Sequence, residues 1–117
     1  IIAGILKNLN SYEEAVNIPN QGYIVNLPDE VIVEVPAILG SEGLIGLGGC
    51  ELPEPIAELC RRQALINELV VRAIVEEDRK LAQEAFAIDP MIDDLEVAKE
   101  LLDDYLKTFD SYLSFKL

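Results

Sequence analysis

Three amides and one carboxylate stand out as groups that could do chemistry. Asn17, Asn20 and Asn26 lie on or beside consecutive short apolar runs, with Gly22 between the last two. Glu34 sits alone between Val33 and Val35, just ahead of Pro36. Amides so placed can satisfy the backbone of tight turns. They can equally line a cleft with neutral donors and acceptors suited to sugar hydroxyls. Glu34, on a sheet covered on one side only, is expected to face solvent or a cleft.

The remaining reactive residue types point to structure. Asp93/Asp94 and Asp103/Asp104 are sequence neighbours, and neighbours on a helix do not face one another. They read as a cap and a solvated face, because general acid/base work needs carboxylates that converge on one cleft. In Gly46-Leu47-Gly48-Gly49 the third glycine is misplaced for a dinucleotide loop, and Cys50-Glu51-Leu52-Pro53 follows instead of a helix. It reads as a hairpin loop. Cys50 and Cys60 without histidine fall short of a zinc site. They read as reduced thiols packed like small apolar groups in an intracellular protein. Arg61-Arg62 is expected to pair with Glu54, Glu58 and Glu68 along a helix. No catalytic, cofactor-binding or metal-ligating residue is assigned from these patterns.

Composition narrows the classes further. The 117 residues include 22 acids, 9 bases and no histidine, for a net charge of -13. Nucleic acid is a poor partner for such a chain, since phosphate binding needs clustered Lys and Arg. An anionic membrane surface is disfavoured for the same reason. No apolar run is long enough to span a bilayer. Half of the residues are apolar, enough for a packed core. Without histidine, no Ser-His or Cys-His catalytic pair can form within the chain.

The elements that must position these groups follow from periodicity. Residues 1–10 read as the end of a helix, with Ile1, Ile2, Ile5, Leu6 and Leu9 at helical spacing. The chain opens inside this pattern without a basic leader, and the expectation is a piece of a longer polypeptide. Residues 13–50 read as strands and turns: Ala15–Ile18, Tyr23–Leu27, Val31–Val35 and Leu44–Leu47. Pro36 is expected to end its strand or to lie on an edge. Residues 55–108 read as helices. The first starts at Pro55 and runs to about Val75, with Ile56, Leu59, Cys60, Gln63, Ile66, Val70, Ala73 and Ile74 along one stripe. The second covers Arg79 to Ala87. The third runs from about Asp94 to Thr108, with Asp93 capping opposite Glu96 and Leu95, Ala98, Leu101, Leu102, Tyr105 and Leu106 inward. Strands first and helices after predict one α+β domain over 1–117, a small antiparallel β-sheet followed by about three helices.

The run Val16-Asn17-Ile18-Pro19-Asn20-Gln21-Gly22-Tyr23-Ile24-Val25-Asn26-Leu27-Pro28, followed by Val33-Glu34-Val35-Pro36, resembles the C-terminal region of glycoside hydrolase family 4. Gly43 to Leu47, Leu52-Pro53-Glu54-Pro55, the helix around Arg62-Gln63 and Glu68 to Ala73, and Ala85 to Pro90 extend the likeness over nearly the whole chain. The Asn26-Leu27-Pro28 form is closer to the α-glucosidase and α-galacturonidase branch than to the phospho-glycosidases.

The resemblance implies a C-terminal fragment of an enzyme that uses NAD and a divalent metal, usually manganese (Mn), to cleave O-glycosyl bonds. This is the redox exception to two-carboxylate glycoside hydrolysis: hydride leaves the sugar C3, a base takes the C2 proton, and the glycosidic bond is eliminated. The family's nucleotide domain and its metal-binding Cys and His lie upstream of the matched region. The resemblance therefore implies no catalytic, cofactor or metal residue here. It implies a contribution to the substrate cleft through Asn20, Gly22 and Asn26. It further implies a cytoplasmic homo-oligomer, inactive without the N-terminal part. The competing expectation is a non-enzymatic interaction or oligomerisation module, with Ile1, Ile2, Ile5 and Leu6 as its sticky surface.

Overall fold

The computed structural model describes residues 1–113. The order of elements is α1 (Ile2–Leu6), β1 (Ser11–Pro19), β2 (Ile32–Gly40), β3 (Gly43–Gly46), α2 (Glu54–Val75), α3 (Arg79–Ile88) and α4 (Leu95–Thr108), with a short 3-10 turn at Asp110–Tyr112. Two compact units result, one of residues Ile1–Cys60 and one beginning at Arg61.

The first unit is built on a three-stranded antiparallel sheet in the order β1-β2-β3. Alternation decides which side is covered. Val33, Val35, Ala37 and Leu39 of β2 are buried, and Val16 and Ile18 of β1 join them on the same face. The register Val16↔Val35 and Ile18↔Val33 places these side chains directly opposite one another. Tyr23, Ile24, Leu27 and Val31 close over this core. At the far end of β2, the buried Gly4 lets α1 lie close to the sheet, because a Cβ there would stand 2.9 Å from Ser11 Oγ and 3.0 Å from Leu39 Cβ.

Pro36 neither ends β2 nor lies on an edge. β2 is the central strand and runs on to Gly40. The reason is a bulge in β1: pairing passes from Glu13↔Ala37 to Val16↔Val35, so Glu14 and Ala15 together lie opposite Pro36. The ladder is already interrupted where proline brings no N–H, so no bond is lost. The Pro36 carbonyl is still used, accepting from Leu47 N at 2.7 Å.

Tyr23–Leu27 is not a strand. Apart from an isolated bridge between Ile24 and Cys50, it is turn and loop within the long connection from β1 to β2. Alternating apolar residues serve there to cap the core rather than to extend the sheet.

The second unit joins the C-terminal part of α2 with α3 and α4. Ile66, Leu69 and Ala85 form one buried cluster, and Ala73, Ala82 and Leu102 form another, with Leu81 packed against both. Arg79 on α3 and Asp103 on α4 form an ion pair across the helices. The buried stripe of α2 is narrower than its apolar residues suggest. Ile66 and Ala73 lie inward, together with Leu69, but Ile56, Leu59, Val70 and Ile74 are exposed. On α4, Ala98 and Leu102 are buried, while Leu95, Leu101 and Tyr105 are exposed. The cap of α4 is Asp94 rather than Asp93: its carboxylate accepts from Glu96 N at 2.7 Å and Val97 N at 3.3 Å. Asp78 plays the same role for α3, accepting from Lys80 N at 2.7 Å.

Candidate functional site

The candidate site is the connection between β1 and β2, which carries Asn20, Gly22 and Asn26. Its neck is closed by Asn20 N donating to Val31 O (2.8 Å) and Gln21 N to Asp29 O (3.1 Å). Asn20 is fully buried, with no exposed surface. Its Nδ2 donates to the carbonyls of Ile24 (2.9 Å), Leu27 (2.9 Å) and Pro28 (3.1 Å), and its Oδ1 accepts from Ile24 N at 2.7 Å. Both hydrogens and the amide oxygen are engaged by backbone. Asn20 thus acts as an internal strut of the loop.

Gly22 occupies the turn at the loop's tip-ward start with φ +86, in the left-handed region, and nothing lies within 4 Å of where a Cβ would be. Glycine is required there by backbone conformation rather than by space. Asn26 works outward from the loop. Its Nδ2 donates to Leu52 O (2.8 Å) and its Oδ1 accepts from Leu52 N (3.0 Å), so the amide pairs with one residue's backbone as a strand neighbour would. Nδ2 also reaches Glu54 Oε2 at 3.4 Å, at the first residue of α2. Asn17 is exposed on β1 and lies opposite the exposed Glu34. Asn20, Gly22 and Asn26 are therefore gathered into one loop, whereas Asn17 stands apart on the outer face of the sheet.

The glycines after β3 have a role that the sequence pattern does not reveal. A Cβ on Gly46 would stand 2.7 Å from Tyr23 Cζ and from Ile18 Cδ1, and one on Gly48 would stand 2.5 Å from Tyr23 Cα. They form a notch that admits Tyr23. Gly49 N donates to Tyr23 O at 2.8 Å and Val25 N to Cys50 O at 2.9 Å, which locks the loop to the segment leading into α2. The segment is a packing surface for the loop. Cys50 and Cys60 are free thiols, and Cys50 is exposed rather than packed as a small apolar group.

Electrostatically the first unit is one-sided. From Asn8 to Cys60 the sequence holds no Lys or Arg, while Glu13, Glu14, Asp29, Glu30, Glu34, Glu42, Glu51, Glu54 and Glu58 all fall in that stretch. A clear shift falls in the second unit. The Arg72 guanidinium is pushed further up by its hydrogen bond and charge attraction to Glu76, whose Oε1 it reaches at 2.7 Å. This is an exposed helical i,i+4 pair with a structural role. Among the described residues no group of three or more His, Cys, Asp or Glu side chains could hold a metal ion. No helix among them is long and apolar enough to cross a membrane.

Comparison with known proteins agrees with this architecture. The Erwinia rhapontici alpha-glucosidase is 34% identical over 115 residues, which is 98% of this chain and 25% of that protein. The Bacillus subtilis alpha-galacturonidase is 34% identical over 108 residues, 92% of this chain and 24% of that protein. A crystal structure of 6-phospho-alpha-glucosidase from gut microorganisms, in complex with NAD and glucose-6-phosphate, superposes with a TM-score of 0.87 at 28% identity, covering 96% of this chain and 25% of that one. A second crystal structure of such an enzyme, in complex with NAD and Mn2+, gives a TM-score of 0.85. The chain thus spans about a quarter of the length of these relatives. The family described as "Family 4 glycosyl hydrolase C-terminal domain" matches residues 1–92. With that match over most of its length and the α+β layout of the same domain, the chain belongs to the C-terminal domain of family 4 glycosyl hydrolases.

Proposed function

We propose that this chain is the C-terminal portion of an NAD- and manganese-dependent glycosidase that acts on O-glycosyl bonds, and that it is inactive alone. The observation that carries this reading is the length relation. Sequence and fold match over nearly all of this chain, yet over only about a quarter of enzymes of this family. The NAD and Mn2+ present in the gut-microorganism enzymes would be held, in the complete protein, by residues outside this chain. The chemistry of that pair, oxidation and reduction of the sugar with metal polarisation, belongs to the cofactor and the ion. This chain's share is to build one wall of the substrate cleft. The loop of Asn20, Gly22 and Asn26 is the part assigned to that wall, with Asn20 fixing its shape from within and Asn26 tying it to Leu52. In this reading the enzyme works on a glycoside in the cytoplasm as a homo-oligomer, with the exposed Ile1, Ile2 and Leu6 contributing to contacts beyond this chain.

The test is enzymatic. The 117-residue chain, incubated with aryl α-glycosides, NAD, manganese and reductant, is expected to give no turnover. The longer protein that carries the family's N-terminal region is expected to give turnover that disappears on chelation. Turnover by the short chain alone would refute the proposal.

A further inference from the structure

Strand β2 carries more apolar surface than its covered face needs. Its inner row is Val33, Val35, Ala37 and Leu39, and its outer row is Ile32, Glu34, Pro36 and Ile38. An antiparallel strand with one solvated face alternates apolar and polar residues, and near-continuous apolar runs belong to strands covered on both faces. The neighbouring strands repeat the pattern in register. Tyr12 lies opposite Ile38 on one side and Ile45 lies opposite Ile38 on the other, so one row crosses all three strands. Tyr12 is 61% exposed, Ile32 64% and Ile45 60%. Pro36 and Ile38 between them are half-buried, and the exposed pair Asn17 and Glu34 lays one polar row across the face between Ile32 and the row of Tyr12, Ile38 and Ile45; exposed apolar surface of this kind marks an interaction site.

We infer that this outer face, formed by Tyr12, Ile32, Pro36, Ile38 and Ile45, is the seat of the enzyme's upstream catalytic region. The inference rests on the reading of the chain as the C-terminal quarter of a longer protein. Two observations choose this occupant over a second copy of the chain. Three quarters of the length of each relative lies outside the matched region and belongs to the same polypeptide. Glu34, meanwhile, stands within the apolar face of a chain of net charge -13. An isologous contact across this face would bury the Glu34 of both copies, and residues 8–60 hold no Lys or Arg to meet them, which is costly at an interface. The fitting partner is an apolar protein surface with a hydrogen-bond donor or a basic side chain opposite Glu34.

Hydroxyl-radical footprinting tests this. Tyr12, Ile38 and Ile45 are compared in the 117-residue chain and in the longer protein with the N-terminal region, over a range of concentrations in which light scattering follows the assembly state of each. Burial removes a side chain from solvent, so modification of all three is expected to slow about ten-fold in the longer protein. An unchanged rate there overturns the inference while leaving the glycosidase reading intact. Protection of the short chain that grows with its own concentration assigns the face to a second copy and also overturns it. NAD binding by the longer protein is measured alongside, and its loss counts against the glycosidase reading whatever the footprint. As a second variant, Ile45→Lys on the exposed edge strand is expected to leave the melting of the short chain unchanged and to lower that of the longer protein. Equal effects on both would again refute the assignment.

Discussion

Replacing Asn20 by alanine tests whether the β1–β2 connection depends on one buried amide. The substitution removes the donor to the Ile24, Leu27 and Pro28 carbonyls and the acceptor for Ile24 N. The Ile24 carbonyl keeps a partner in Leu27 N at 3.2 Å. The Ile24 N–H and the Leu27 and Pro28 carbonyls lose the partner described here. Each orphaned buried group costs about 1–3 kcal/mol, and partial hydration of a surface loop favours the lower end. The expected loss is therefore about 3–5 kcal/mol, a large part of the roughly 5–15 kcal/mol that holds a domain folded. Native-state hydrogen exchange of the β2 amides reads it directly. At about 1.4 kcal/mol per factor of ten, protection should fall on the order of a hundred- to a few-thousand-fold, while amides of α3 and α4 change little. Asn17→Ala, at an exposed position, serves as the control and should stay within about 0.5 kcal/mol. Loss of less than about 1 kcal/mol in Asn20→Ala would refute the strut. Asn20→Asp adds a sign. A buried carboxylate aimed at carbonyl oxygens has its native pKa raised above the unfolded value of about 3.9. The variant's penalty is then smallest below that value and grows as pH rises toward the raised native one.

Two more substitutions separate packing from conformation and one cap from its neighbour. Gly46→Ala should cost about 1–3 kcal/mol by urea denaturation, because its Cβ would overlap Ile18 and Tyr23; Gly22→Ala has open space but a positive φ, and should cost about 1 kcal/mol by backbone strain alone. Asp94→Ala should lower stability by about 0.5–2 kcal/mol, as loss of an N-cap does, while Asp93→Ala should stay within about 0.5 kcal/mol in thermal melts.

The order of elements was legible because it rests on strong periodic signals. Val31 to Val35 is β-branched, and the segments in α2, α3 and α4 carry helical spacing, so an antiparallel sheet followed by helices emerges from pattern alone. Three local features were not legible, each because a distant partner decides it. Pro36 is tolerated inside the central strand only because β1 bulges opposite it, and nothing near Pro36 announces a bulge at Glu14 and Ala15. Tyr23 to Leu27 alternates like a strand, but Asn20 takes up the Ile24, Leu27 and Pro28 carbonyls and Ile24 N. The apolar arc of α2 is wider than its buried stripe, so hydrophobicity alone placed Leu59 and Val70 inward when Ile66, Leu69 and Ala73 are the buried residues. The site residues show the same division. That Asn20, Gly22 and Asn26 form one set was implied by the family resemblance, since the spacing of amides alone grouped Asn17 with Asn20 and Asn26. That Asn20 spends its whole amide on the protein's own backbone was not, since a buried and an exposed asparagine look alike in sequence. The notch for Tyr23 had one available signal, glycines at alternate positions 46 and 48 where a close approach is a standard use of the residue.

The way Asn20 gathers its bonds also bears on how the sheet comes together. β1 and β2 are separated by a connection of residues 20–31, long enough that pairing them would ordinarily carry the entropy of closing an open loop. The partners of Asn20 lie four, seven and eight residues ahead, and its own N–H reaches Val31 O. Closure is thereby divided into short local steps, each with low sequence separation. The strand partners still stand 13 (Pro19↔Ile32) to 28 (Ser11↔Leu39) residues apart, so the pair keeps a higher contact order than a tight hairpin, and the local bonds act by lowering the entropy of closing the connection. A change that lengthens the connection between Asn20 and Pro28 would slow folding before it altered anything at the sheet itself.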